Sequence, residues 1–280
     1  VDIYRVIQIF KRSCMTPQTF ASLIDEIRAK RPLIHHITNS VTINDCANVT
    51  LSIGAAPVMA EAPEEVEEMV SRADALVLNL GTLSRNQVNS MLRAGRTANS
   101  CGIPVILDPV GAGATRMRTE SARLLIKRVR ISVLKGNAGE IGALANAGGR
   151  VRGVDSRGLD GDPLDIGKEF ARESGLTVVI SGAKDIVTDG IRAAIVENGH
   201  AMMGKLSGTG CMAASLVAAF AAVCSDHVTS STAALAAFGI AGERAAQKTS
   251  GPYSFRTALM DEVAGLLPED VIRQARVRSV

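Results

Sequence analysis

The chain has 280 residues, 46% hydrophobic and only 3% aromatic, with no Trp and a net charge of +3 from 31 basic and 28 acidic side chains. That length allows one large domain or two small ones, and so slight a charge bias, without a dense Lys/Arg cluster, excludes a nucleic-acid surface. Five cysteines (Cys14, Cys46, Cys101, Cys211, Cys224) with no C-x-x-C pair exclude a disulfide framework and fit a reducing cytoplasm, and the four histidines form no H-E-x-x-H zinc motif.

In chain order, Val1 to Cys14 is mixed apolar and basic, with no apolar stretch leading to a cleavage site. It is set aside as an N-terminal extension of unknown role, and residues 15–280 are expected to form a single domain. Pro63 followed by Glu64, Glu65, Glu67 and Glu68 reads as a solvated helix start, since Pro suits the first helical position and acids the positive helix end. Buried strands are predicted at Ala75–Leu80, Ile103–Asp108, Ile131–Leu134 and Leu176–Ile180. Between and after them, helices are predicted at Ser84–Asn99, Thr119–Arg128, Ala138–Ala147 and Pro163–Ser174. Strand and helix in alternation imply parallel strands with crossovers and a layered α/β domain.

The texture then changes. Asp185–Thr188 and Ile191–Val196 flank Asp189-Gly190, a tight-hairpin signal that extends the sheet edge with antiparallel strands. Beyond Gly210 the chain is expected to be helical almost to its end, with Ala-rich buried helices at Cys211–Val223 and Ser231–Lys248. The apolar run from Cys211 to Cys224 falls short of the ~20 residues that span a bilayer, so no membrane association is expected.

Ligands of open α/β sheets bind beyond the carboxyl ends of the strands. Three loops there carry chemistry: Asp108-Pro-Val-Gly-Ala-Gly113, Lys135-Gly-Asn-Ala-Gly-Glu140 and Ser181-Gly-Ala-Lys-Asp185. Each alone is a turn; together they suggest a site. Gly208-Thr209-Gly210-Cys211 before a long helix is a stronger signal, because convergent backbone N–H groups and the helix dipole make an anion hole suited to phosphate. No G-x-x-x-x-G-K-[ST] occurs, which excludes a P-loop, and Gly111-x-Gly113 lacks the third glycine of a dinucleotide fingerprint. Cys211, at the expected helix start, should have a lowered thiol pKa; a packing Cys is the alternative.

From Arg31 to Phe255 the sequence resembles the hydroxyethylthiazole kinase family. The resemblance is carried by HHITNSV from His35, APVMA from Ala56, LNLGTL from Leu78, ILDPVGAGATR from Ile106 and KGNAGE from Lys135. It continues with VTDG from Val187, KLSGTGCMAA from Lys205 and FGIAGERAA from Phe238. It implies a ribokinase-like layered α/β sandwich, its central sheet mostly parallel and flanked by helices, without a lid domain. It implies transfer of the γ-phosphate of ATP, with Mg²⁺, to the primary hydroxyl of 4-methyl-5-(2-hydroxyethyl)thiazole in thiamine biosynthesis or salvage. A cytoplasmic homotrimer with sites at the subunit interfaces is implied as well.

By the same resemblance Met59, Asn39 and Gly208 contact the thiazole, Lys135, Ser181, Asn137 and Gly210 the nucleotide, and Glu140 and Asp108 the metal. Cys211 stands where other ribokinase-like enzymes carry the Asp base. Two positions depart from the family: Lys135 where Arg is usual, and Ser181 where Thr is usual. Lys keeps the charge but loses the planar fork. The rival readings are a pyrimidine or pyridine alcohol kinase of the same fold, a hydrolase using Cys211 as nucleophile, and a silent nucleotide-binding subunit.

Overall fold

The structure is a computed structural model that describes residues 15–145, 150–152, 155–157 and 161–280. The proposed extension Val1–Cys14 and the end of the helix expected to reach Ala147 lie outside the described residues.

In chain order the main elements are α1 (Pro17–Lys30), β1 (Leu33–Ile37), α2 (Ile43–Ile53), β2 (Ala56–Met59), α3 (Val66–Val70), β3 (Ala75–Asn79), α4 (Arg85–Cys101), β4 (Val105–Asp108), α5 (Arg116–Arg128), β5 (Val133–Asn137) and α6 (Ala138–Leu144). A short antiparallel hairpin, β6 (Arg150–Arg152) with β7 (Asp155–Arg157), follows. Then come α7 (Pro163–Ser174), β8 (Thr177–Ser181), β9 (Asp185–Thr188), β10 (Ala193–Val196), a 3₁₀ turn at Ala201–Lys205, α8 (Thr209–Ala221), α9 (His227–Lys248), α10 (Pro252–Ala264), α11 (Pro268–Gln274) and β11 (Val277–Ser279).

Nine strands form one sheet in the order β11-β10-β9-β8-β5-β4-β3-β1-β2. The six from β8 to β2 are parallel, and β9, β10 and β11 are antiparallel. Strand alternation sends side chains to two cores. Ile34, Ala75, Val77, Ile106, Val133 and Val179 face α1, α2, α8, α9 and α10. Leu76, Leu78, Leu107, Leu134 and Val178 face α3 to α7. Burial on both faces explains why these strands are near-continuous apolar runs.

The expected layered architecture is therefore present, with local corrections. Pro63 lies in a turn and α3 begins three residues later, at Val66. The link between β9 and β10 has four residues, 189–192, because Asp189 Oδ1 accepts from the N–H groups of both Ile191 and Arg192. α5 begins at Arg116 and α9 at His227, earlier than expected, where Thr115 and Asp226 supply the caps. α8 begins at Thr209, which places Cys211 third in the helix rather than first.

Candidate active site

The parallel register brings the polar side chains together. Asn79 ends β3 opposite Asp108 of β4, and Asn137 ends β5 opposite Ser181 of β8. Asn79 follows Val77 by two, Asp108 follows Ile106, Lys135 follows Val133 and Ser181 follows Val179. All four therefore point to the α8 face, at the carboxyl ends of adjacent strands. There they line or border a cavity of about 380 Å³. Asn39, Asp108, Lys135, Asn137, Glu140, Ser181, Gly208, Gly210 and Cys211 all line it, with Val41, Thr42, Gly81, Val110, Ser207 and Thr209.

Asn39, 3% exposed, organises one wall. Its Oδ1 accepts from Val41 N (3.1 Å), Thr42 N (3.0 Å) and Thr42 Oγ1 (3.1 Å). Its Nδ2 donates to Asn79 Oδ1 at 2.9 Å and approaches Cys211 Sγ at 3.4 Å. Asn79 Nδ2 in turn donates to Asp108 Oδ2 at 2.9 Å. The chain Cys211–Asn39–Asn79–Asp108 is thus continuous through buried side chains.

The α8 amino end forms the floor. Gly208 has φ +94°, and a Cβ on it would stand 2.4 Å from Thr42 Cγ2. Only glycine permits that approach. The first N–H groups of a helix lack intrahelical partners, so those of Thr209, Gly210 and Cys211 are available to an anion. Lys135 completes the arrangement: its Nζ would be 3.1 Å from a Cβ on Gly210, so the ammonium sits against the start of the helix.

Lys135 is 3% exposed. Burial alone would lower its pKa, but Asp108, Glu140, Cys211 and Asp185 outweigh it and hold the group above the ordinary lysine value, so it is charged. A buried cation at the positive end of a helix adds to the local attraction for phosphate.

Glu140 closes a capping box on α6. Its Oε2 accepts from Asn137 N at 2.8 Å while Asn137 Oδ1 accepts from Glu140 N at 2.9 Å. Its Oε1 accepts from Gly111 N at 2.7 Å. Burial, and then Asp108, push the carboxyl up to about 7 against those two bonds. Asp108 is pushed up by burial too, with Lys135 and the Asn79 amide pulling it partly back.

One expectation is corrected. Burial and then Asp108 raise the Cys211 thiol, and Thr42, Lys135 and Asn79 offset only part of this. The helix terminus expected to lower it is outweighed, because the thiol is buried and beside a carboxylate. Met59 is not among the cavity's lining residues: it is half-buried at the end of edge strand β2, paired with His36. Sequence reasoning singled out neither Asn79 nor Thr42, and noted Asp185 only as the end of a candidate loop. Asn79 hides inside an apolar run. Asp185 begins β9, takes the Gly182 N–H at 2.9 Å and is raised to about 6 by burial.

Asp108 and Glu140 offer hard oxygen atoms of the kind magnesium takes. Among the described residues no group of three ligating side chains could hold a metal alone. Also among the described residues, no helix is long and apolar enough to cross a membrane.

The family model of the hydroxyethylthiazole kinase family matches residues 24–269. A hydroxyethylthiazole kinase of Methanocella arvoryzae is 60% identical over 264 residues, which cover 94% of this chain and 99% of that one. The solved structure of a hydroxyethylthiazole kinase from Pyrococcus horikoshii is similar with a TM-score of 0.86 and 43% identity, covering 94% of this chain and 99% of that one. A ribokinase-like superfamily protein of Enterococcus faecalis, 13% identical, shares the fold with a TM-score of 0.62 over 89% of this chain and 95% of its own.

Proposed function

The chain belongs to the hydroxyethylthiazole kinase family, and from that premise we propose how its cavity transfers the γ-phosphoryl group of ATP to the primary hydroxyl of 4-methyl-5-(2-hydroxyethyl)thiazole. The observation that carries the reading is the Lys135 ammonium against Gly210 at the start of α8, with Asp108 and Glu140 in the same cavity. Phosphoryl transfer asks for alignment and charge stabilisation more than covalent chemistry. The α8 N–H groups and Lys135 stabilise the moving phosphoryl charge. Ser181 and Asn137 hold the nucleotide. Asp108 and Glu140 would hold magnesium, which would neutralise phosphate charge. Asn39 and Gly208 border the thiazole alcohol.

Met59 lies outside the cavity of the single chain. It meets the thiazole if a neighbouring copy supplies β2, so the homotrimer with shared sites belongs to this proposal, as does a cytoplasmic location. Val58 and Met59 would then give the sulfur heterocycle an adaptable apolar contact. The expected result is ADP formation with hydroxyethylthiazole at a kcat/KM well above that with hydroxymethylpyrimidine or pyridoxal. A pyrimidine alcohol turned over faster than the thiazole would sink the substrate assignment.

Cys211 is the base in this scheme, and a sparsely ionised one, since its raised pKa leaves the thiol protonated at neutral pH. General-base catalysis is typically worth ~100- to 10,000-fold, and a poorly ionised base sits at the lower end. Cys211→Ala should thus lower kcat by up to about 100-fold without abolishing it. Cys211→Asp should stay within roughly tenfold of wild type, because a carboxylate can accept the same proton. A dead Asp variant together with a trapped phosphocysteine would instead establish covalent catalysis. An Ala variant with full kcat would leave Cys211 as packing.

A further inference from the structure

Arg118 breaks a local rule. It is the third residue of α5, behind the cap Thr115, at the helix end where a cation meets the positive pole of the dipole. Its surroundings explain the placement. Nη1 donates to Leu80 O at 2.7 Å and to Val110 O at 2.8 Å, and Nη2 donates to Gly81 O at 2.7 Å. One planar fork thus ties the β3–α4 loop to the β4–α5 loop, two loops that share no helix or strand. Gly111, with φ +76°, leaves room for it: a Cβ there would stand 2.9 Å from Arg118 Cδ.

The two carbonyls on Nη1 belong to particular peptide units. Leu80 C=O shares its planar amide with the N–H of Gly81, which donates to Asn79 Oδ1 at 2.9 Å. Val110 C=O shares its amide with the N–H of Gly111, which donates to Glu140 Oε1 at 2.7 Å. In a trans peptide the two groups point in opposite directions. Fixing the carbonyl from behind therefore aims the N–H into the site, and a cation on the carbonyl side polarises the donor.

We propose that Arg118 is a positioning residue: by gripping the Leu80–Gly81 and Val110–Gly111 peptides from behind, it aims their N–H groups at Asn79 and Glu140 and so sets the phosphoryl-transfer wall of the cavity. The inference rests on the functional reading above for its kinetic consequence, but its structural consequence stands apart from it. Lys cannot replace the fork, because a single ammonium cannot hold three carbonyls in this arrangement.

The test compares wild type with Arg118→Ala and Arg118→Lys. Small geometric errors near a reacting centre cost up to ~100-fold, so Ala should lower kcat by about tenfold to 100-fold, and Lys by less. Millimolar guanidinium chloride should restore part of the Ala variant's kcat and leave wild type unchanged. In the Ala variant the Gly111 amide should exchange with solvent faster, while amides of β4 such as Ile106 keep their protection. Unchanged kcat, a loss that guanidinium does not recover, or a Gly111 amide as protected as before would each overturn the proposal. If wild type itself fails to phosphorylate the thiazole, the functional reading falls, and amide exchange still decides on Arg118.

Discussion

Glu140→Gln is expected to lower kcat by about 100-fold or more at saturating magnesium while leaving thiazole affinity nearly intact. The carboxylate has two parts to play. As the cap of α6 it takes the N–H of Asn137, and it also takes the N–H of Gly111. Gln keeps one acceptor and turns an amide nitrogen towards the other donor, a cost of ~1–3 kcal/mol at a buried site. That cost appears in the melting temperature and not by itself in kcat. The charge is a separate matter. With its pKa raised to about 7, Glu140 is part-protonated in the free protein at neutral pH. A bound dication would favour the ionised form. Gln cannot supply that charge in the transition state. Steady-state kinetics across a magnesium series, with thermal melting of both proteins, separates the two. If kcat is unchanged at saturating magnesium, Glu140 is only a helix cap.

Gly208→Ala should cost still more in kcat/KM, roughly 100- to 1,000-fold, the range seen when a preorganised anion-binding donor is lost. The backbone there is in the left-handed region, which costs a residue with a Cβ about 1–2 kcal/mol. The larger effect is steric. The added methyl would overlap Thr42 Cγ2, and Thr42 is stiff at χ1 and held twice by Asn39 Oδ1. Moving Thr42 disturbs Asn39, which is bonded to Asn79 and in contact with Cys211. Thr42→Ser removes the offending methyl and keeps the hydroxyl. The double variant Thr42→Ser/Gly208→Ala should therefore recover a clear part of the lost kcat/KM. No recovery would mean that backbone strain, not the Thr42 contact, governs the position. Full activity of the single variant would remove Gly208 from the site.

The parallel strands β3, β4 and β8 were legible because burial on both faces makes them near-continuous apolar runs, and β5 (Val133–Asn137) was legible only through the apolar Ile131–Leu134 that leads into it. β1 was not, because His35 and His36 interrupt the run in sequence yet are buried in the fold. There His35 Nε2 meets Ala60 O and His36 Nε2 meets Ser215 Oγ. Burial lowers both, His36 to about 4, so both are neutral and behave as strand residues. β2 and β11 are short edge strands of four and three residues, too brief to show a period, and β2 contains Pro57.

Most of the candidate site followed from looking at what comes after each strand. Asn79 did not, since it shares an apolar run with Leu78 and Leu80, and only the register with Asp108 reveals its place. The sign of the Cys211 shift was missed for a related reason. A helix terminus can be read in a sequence, whereas the neighbouring Asp108, about a hundred residues away in the chain, comes from the packing of α8 on β4. Arg118 lay just outside the helix expected from Thr119, and its place is explained only by three carbonyls from two loops.

The most direct test of the central claim is phosphorus NMR of a reaction of the purified protein with ATP, magnesium and hydroxyethylthiazole. The account predicts one new alkyl phosphate ester on the hydroxyethyl oxygen for each ADP formed, and its near disappearance with Glu140→Gln. ATP consumed to ADP and inorganic phosphate without an ester, or an ester formed as fast by the Glu140→Gln variant, would contradict it.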